Sequence, residues 1–498
     1  MRRLLSLALF LFVPQLALAD DLWTPFVLRS FDGREASAQI ALLPVRETRT
    51  SPDSRLIRVA VIRLPAREAP RGAPPIVFLS GGPGIPASAL ARVPVYFDLF
   101  SKLQAIGDVL LIDQRGSGMS LPNLTCPAAD VPKNFLSSDE AFLAALSARV
   151  TACTRFWSDA GVDIHGYSTT EIAADVDAAR KAAGGKTMKL LAFSYGSEVA
   201  IELARRWPRQ VDRIVFASTR APDTMLKMAS VWDQQLGTLG ASVKRVVAEL
   251  DASPVNVETT AGTFSVGGIG VLTVLRADLP DGRALPKIPE FVRALEGGSY
   301  ASLAPRVLQI YASLKSMNLM TLAVDCSSGW SAQRLRDAEA ESHAAIMRNV
   351  NLQWDSRICN AIAGRPGLPP PIRRTNIPAL FITGTLDVNA PVAQTERIRK
   401  EFPRSVHFIV ENGAHETLPI GAVQERVVKF LRRRAYHVAA HEGGAAGTQR
   451  PGSGAADRGR RRRGAGAGHR GVARCHGAAA GGVDHGPLPA AGACAERR

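Results

Sequence analysis

The sequence predicts an α/β fold: a mostly parallel sheet with helices on both faces and a largely helical lid inserted before the last two strands. Three observations predict it. Short, nearly continuous apolar runs recur with helix-patterned stretches between them, as strands covered on both faces do. The alternation lapses between residues 220 and 374 and then resumes. The chain has 498 residues, 46% hydrophobic and 21% charged, which suits one large domain with an insertion and excludes a small stapled scaffold or wholesale disorder.

Taken in order, Arg2 and Arg3 precede an apolar run from Leu4 to Val13, and Ala17-Leu18-Ala19 offers a small-x-small cleavage pattern before Asp20. Residues 1–19 therefore read as a secretory signal peptide, and the mature chain is expected in a periplasm or outside the cell. The run is too short for a comfortable membrane span, and no later stretch reaches about 18 uninterrupted apolar residues, so no span is expected.

The core is expected to comprise residues 20–219 and 375–440. Its strands are Ile76 to Leu79, Val109 to Ile112, Lys189 to Phe193, Arg213 to Ala217, Ala379 to Thr383 and His407 to Val410. A helix from Thr169 to Ala183 keeps Ile172, Val176 and Ala179 near one face. A second, Ser197 to Trp207, keeps Val199, Leu203 and Trp207 at i, i+4 and i+8, and Pro208 stops it. A helix from Val423 to Arg433 closes the core. Residues 220–374 form the lid, with helix-like segments Met225 to Leu250 and Leu303 to Ala323 around a Gly-rich, strand-like piece from Gly262 to Leu275.

Residues 441–498 hold 15 glycines, 14 alanines and ten arginines against four acids. Such a composition builds no core and reads as a disordered tail. It also inflates the formal charge of +16. No nucleic-acid partner is expected, because no aromatics interleave with the arginines for base stacking.

Ala192-Phe193-Ser194-Tyr195-Gly196 sits where a strand meets a helix, the context of a nucleophile elbow. Upstream, the strand Ile76 to Leu79 runs into Ser80-Gly81-Gly82-Pro83-Gly84, whose backbone N–H groups can approach a developing oxyanion. Asp113-Gln114-Arg115-Gly116 reads as a structural strand-to-loop corner. A serine needs a base, and the base an orienting acid. Asp387 follows one late strand and His415 the next, and the chain order Ser, Asp, His matches the α/β-hydrolase arrangement. Ser194 is the expected nucleophile, His415 the base and Asp387 the acid. Tyr195 with Gly82 or Gly81 is expected to supply the oxyanion donors. His407 lies inside a strand and reads as a sheet residue.

Between Asp20 and Ala440 there are four cysteines, an even number that permits three pairings in an oxidising compartment. Nearest neighbours, Cys126 with Cys153 and Cys326 with Cys359, are expected to pair, each bridge worth about 3.5 kcal/mol in the chain-entropy model. None has C-x-x-C spacing, so no metal site is expected. No cofactor is called for.

Taken together, Ser80-Gly81-Gly82-Pro83-Gly84, Asp113-Gln114-Arg115-Gly116, Ser194-Tyr195-Gly196, Asp387 and His415 resemble the proline iminopeptidase and tripeptidyl aminopeptidase group of α/β-hydrolases, serine peptidase family S33. The resemblance runs from about residue 55 to 433. It implies release of amino-terminal residues or short peptides, with the Gly-Gly-Pro-Gly loop in the oxyanion hole. Two positions depart from the family pattern: Ser80 stands where the family has histidine, and Ala192 where it has glycine two before the nucleophile. Neither change removes a catalytic side chain. Secreted relatives often carry an acid just after a lid cysteine, whereas Cys326 is preceded by Asp325 and followed by Ser327. The expectation is an exported serine aminopeptidase acting on a peptide. An esterase or other acyl hydrolase on the same scaffold is the alternative, and a non-catalytic binding protein the lesser one.

Overall fold

The computed structural model describes residues 22–363, 370–433 and 472–476. The segment read as a signal peptide and most of the tail lie outside these residues. The strands are β1 (Thr24–Arg29), β2 (Glu35–Arg46), β3 (Leu56–Leu64), β4 (Ile76–Leu79), β5 (Val109–Ile112), β6 (Met188–Phe193), β7 (Val211–Ala217), β8 (Val255–Thr259), β9 (Gly262–Val266), β10 (Ala379–Gly384), β11 (Ser405–Glu411) and β12 (Val472–His476). Ten of these twelve described strands form one sheet in the order β1-β2-β3-β5-β4-β6-β7-β10-β11-β12. Pairing is antiparallel from β1 through β3 to β5 and parallel from β5 to β12. This is the α/β-hydrolase fold.

Strands β4, β5 and β6 are buried at every position, which is why they read as continuous apolar runs. Their side chains alternate between two layers. Val77, Leu79, Leu110, Ile112, Leu190 and Ala192 face one. Ile76, Phe78, Val109, Leu111, Leu191 and Phe193 face the other, covered by Phe97 and Phe100 of the helix Pro94–Leu103 and by Val423, Val427 and Leu431 of the helix Gly421–Arg432. Strand β2 instead alternates exposed and buried residues along much of its length and β1 is mostly exposed, so neither carries the continuous run; β3 does carry one, Val59 to Ile62, yet it too is not among the strands read from sequence. Within the segment 441–498, expected to lack structure, Val472–His476 form β12 beside β11. An open strand edge pairs through backbone groups, which composition does not reveal.

The lid is largely helical, as expected. Met225 to Leu250 resolves into the helices Ala229–Leu236 and Gly240–Ala252, separated at Gly237, whose φ is +55°. Gly262 to Leu275 divides into β9, hairpin partner of β8, and the helix Gly268–Asp278. Leu303 to Ala323 divides into Leu303–Lys315 and Leu319–Ser328, the latter capped by Asn318. The helix Asp139–Asp159, from the segment before β6, packs against the lid: Arg149 donates to the Leu314 and Lys315 carbonyls, and Arg348 pairs with Asp139. Cys126–Cys153 and Cys326–Cys359 are both bonded, each with Cα atoms 5.3 Å apart. Among the described residues no helix is long and apolar enough to cross a membrane.

Candidate active site

Three loops at the carboxyl ends of β6, β10 and β11 meet above the sheet. Ser194 occupies the turn between β6 and the helix Gly196–Arg206 with φ at +50°, a conformation that non-glycine residues adopt only under constraint. The constraint is visible at Gly196: a Cβ there would lie 2.1 Å from the Leu79 carbonyl oxygen, so only glycine lets this helix start directly against β4. The sharp turn ends the β6 ladder at Ser194, whose N–H still donates to the Ala217 carbonyl of β7 at 2.9 Å.

His415 Nε2 lies 2.9 Å from Ser194 Oγ. Its Nδ1 lies 2.9 and 3.0 Å from the two carboxylate oxygens of Asp387. Asp387 Oδ1 also accepts the N–H groups of Asn389 and Ala390, which curl the chain around it. Burial alone would raise this carboxyl's pKa, but the neighbouring His415, the Ala390 N–H and Ser218 hold it below the ordinary aspartate value. It is an anion aimed at the imidazole. Ser218 Oγ donates to the His415 carbonyl at 2.5 Å, and the lid reaches the same residue, because the Pro280 carbonyl accepts the His415 N–H at 3.1 Å.

The loop after β4 lies against the nucleophile: a Cβ on Gly81 would sit 3.1 Å from Ser194 Cβ. Among the described residues neither the Tyr195 nor the Gly82 N–H donates to a protein acceptor, so both are available to a ligand oxygen. Ser80, at the departure from the S33 pattern, is buried and donates to the Ile85 carbonyl at 2.6 Å, tying the loop to itself. Ala192 is wholly buried in β6.

Gln114 is a contributor that sequence reasoning placed only in a structural corner. Its Nε2 donates to the Ser80 carbonyl at 3.1 Å and its Oε1 accepts the Gly84 N–H at 3.1 Å, so one amide braces both ends of the glycine loop. Its neighbour Arg115 is fully buried and bonded to Asp175 at 2.7 Å, a structural role. His407 is in the sheet, with Thr383 and Glu396 as partners. Asp325 is not free for a ligand: it is buried and bonded to Arg220 and Trp354.

Two family models match parts of this chain. A family model described as alpha/beta hydrolase fold matches residues 74–262, and one described as TAP-like protein matches residues 347–437. "Putative hydrolase YuaR" of Escherichia coli (strain K12) is 28% identical over 196 residues, 37% of this chain and 37% of that protein, so the match spans little more than a third of the relative. Among solved structures, the proline iminopeptidase of Mycobacterium smegmatis is 15% identical, covering 78% of this chain and 97% of that one, with a TM-score of 0.39. A thermophilic esterase from Thermogutta terrifontis is 14% identical with the same coverage and a TM-score of 0.34.

Proposed function

Taking as premise that this chain is a hydrolase with the α/β-hydrolase fold and a TAP-like segment, we propose that it is an exported serine hydrolase that acts as an aminopeptidase through an acyl-enzyme on Ser194. The reading is carried by the unbroken line of hydrogen bonds from Ser194 Oγ through His415 to Asp387. His415 Nε2 takes the hydroxyl proton as Ser194 attacks the substrate carbonyl, and Asp387 fixes the tautomer and stabilises the imidazolium. The tetrahedral oxygen receives the Tyr195 and Gly82 N–H groups. His415 then protonates the leaving amine, and water repeats the cycle on the ester.

One feature supports a peptide substrate. The TAP-like match covers the base and acid loops. At the lid contact, Pro280, whose carbonyl accepts the His415 N–H, lies between Asp278, which pairs with Arg306, and Asp281, which pairs with Arg283. The two disulfides and the amino-terminal segment support export. A panel of aminoacyl and peptidyl amides, amino-blocked counterparts and short-chain esters, assayed at one enzyme concentration, tests the substrate class. Higher kcat/KM for free-amine peptides is expected. Turnover of esters alone would replace the aminopeptidase with an esterase.

A further inference from the structure

We propose that Arg220 is a positioning residue that holds both sides of the oxyanion hole in register and ties them to the lid. The inference rests on the serine-hydrolase reading above. Arg220 follows β7 and is 5% exposed. Its backbone N–H points at the Ser194 carbonyl at 3.4 Å. Its guanidinium carbon lies 5.2 Å from the centre of the Tyr195 ring, beside one expected donor. Nη1 lies 3.5 Å from the carbonyl oxygen of Gly82, the other. Nε bonds Glu198 at 2.7 Å on the helix that starts behind the nucleophile, and Nη2 bonds Asp325 at 2.8 Å on the lid helix Leu319–Ser328.

The need for such a brace follows from the loop itself. Gly82 has φ at +104° and no side chain, so nothing of its own sets its orientation. Gln114 grips the loop at Ser80 and Gly84, and Arg220 reaches the carbonyl between them. The far end of the link is anchored as well. Asp325 Oδ2 accepts the Trp354 indole N–H at 2.9 Å, and Asp325 precedes Cys326, whose disulfide to Cys359 ties Trp354's neighbourhood to the same helix. A planar fork with five donors serves Glu198, Asp325 and Gly82 together, which a lysine cannot do. Burial alone would lower the guanidinium's pKa, but Asp325 and Glu198 raise it above the ordinary arginine value.

The experiment compares wild type, Arg220→Lys, Arg220→Met, Asp325→Asn and Trp354→Phe in the full chain. A fluorophosphonate titrates Ser194, and a p-nitrophenyl ester reports turnover per titrated site. Arg220→Met and Arg220→Lys are expected to keep a titratable serine but to lose roughly 10²-fold in kcat per site with KM little changed, because a misaligned donor is felt in the transition state. Asp325→Asn should lose about tenfold, and Trp354→Phe less. A merely structural role lowers the number of titrated sites and leaves turnover per site at the wild-type value. That result in the folded variants overturns the proposal. If Arg220→Met does not fold, Arg220→Lys and Asp325→Asn decide by the same criterion. A wild-type protein that resists the phosphonate would instead remove the serine-hydrolase reading itself.

Discussion

Gly384 and Gly413 approach so closely that a Cβ added to Gly384 would lie 2.0 Å from the Gly413 carbonyl oxygen. Gly384 ends β10 and precedes the Asp387 turn, while Gly413 begins the loop that presents His415. The contact continues in a hydrogen bond from the Leu386 N–H to the Gly413 carbonyl at 2.8 Å. Acid and base are thus set relative to each other by backbone. Gly384→Ala should push the two loops apart, costing about 1–3 kcal/mol of stability and, since a 1 Å misplacement matters at such a site, roughly 10²-fold in kcat. Thermal unfolding and turnover of the purified variant check both.

Gly82→Val should lower turnover by about 10²-fold without unfolding the protein. A Cβ at Gly82 would meet the Gly84 nitrogen at 3.0 Å and the Ile85 nitrogen at 3.1 Å, in a left-handed conformation that valine resists. The loop must shift, and the Gly82 N–H with it. Wild-type rates in a folded variant would leave the glycines as turn formers only.

Lys227 gives the fold a pH dependence. Its ammonium is buried, 8% exposed, and donates to the carbonyl of Asn389 in the Asp387 turn at 3.0 Å. Burial, with Arg220 and Arg334 adding to it and Asp387 and Asp325 opposing it, pushes its pKa down to about 7. The unfolded chain therefore binds one more proton than the folded chain between about pH 7 and the ordinary lysine value, and stability rises with pH across that window. Below about pH 7 the penalty is fully present, on the order of a few kcal/mol. Denaturant midpoints measured from pH 6 to 10 should rise more steeply for wild type than for Lys227→Met. Parallel curves would contradict the assignment.

The disulfide Cys326–Cys359 joins the Asp325 helix to the helix Ser356–Ala363. Replacing both cysteines with serine should cost about 3 kcal/mol. Peptide mapping without reduction should recover Cys126 linked to Cys153 and Cys326 linked to Cys359; four free thiols in exported material would argue against both bridges.

How much of this was legible depended on where each residue's partners lie. Strands β4 to β7 and β10 show in the sequence because they are buried on both faces. Strands β1 and β2, on the antiparallel flank of the sheet, do not announce themselves in the same way, whereas β3 carries the buried run Val59 to Ile62 and was legible but not read. Ser194, Asp387 and His415 were readable because each follows directly on a strand, so position along the chain stands in for position in space. Gln114 and Arg220 were not. Their partners are backbone groups and carboxylates 22 to 138 residues away, and no local spacing encodes such contacts.

The central claim is that Ser194 is acylated. The most direct measurement is labelling of the folded protein by a fluorophosphonate, read by intact mass and peptide mapping, in wild type and Ser194→Ala. One adduct on Ser194 in wild type, none in Ser194→Ala, and a fall in turnover of about 10⁴-fold or more are expected. Equal labelling of the two proteins, or an adduct mapped to another residue, would contradict it.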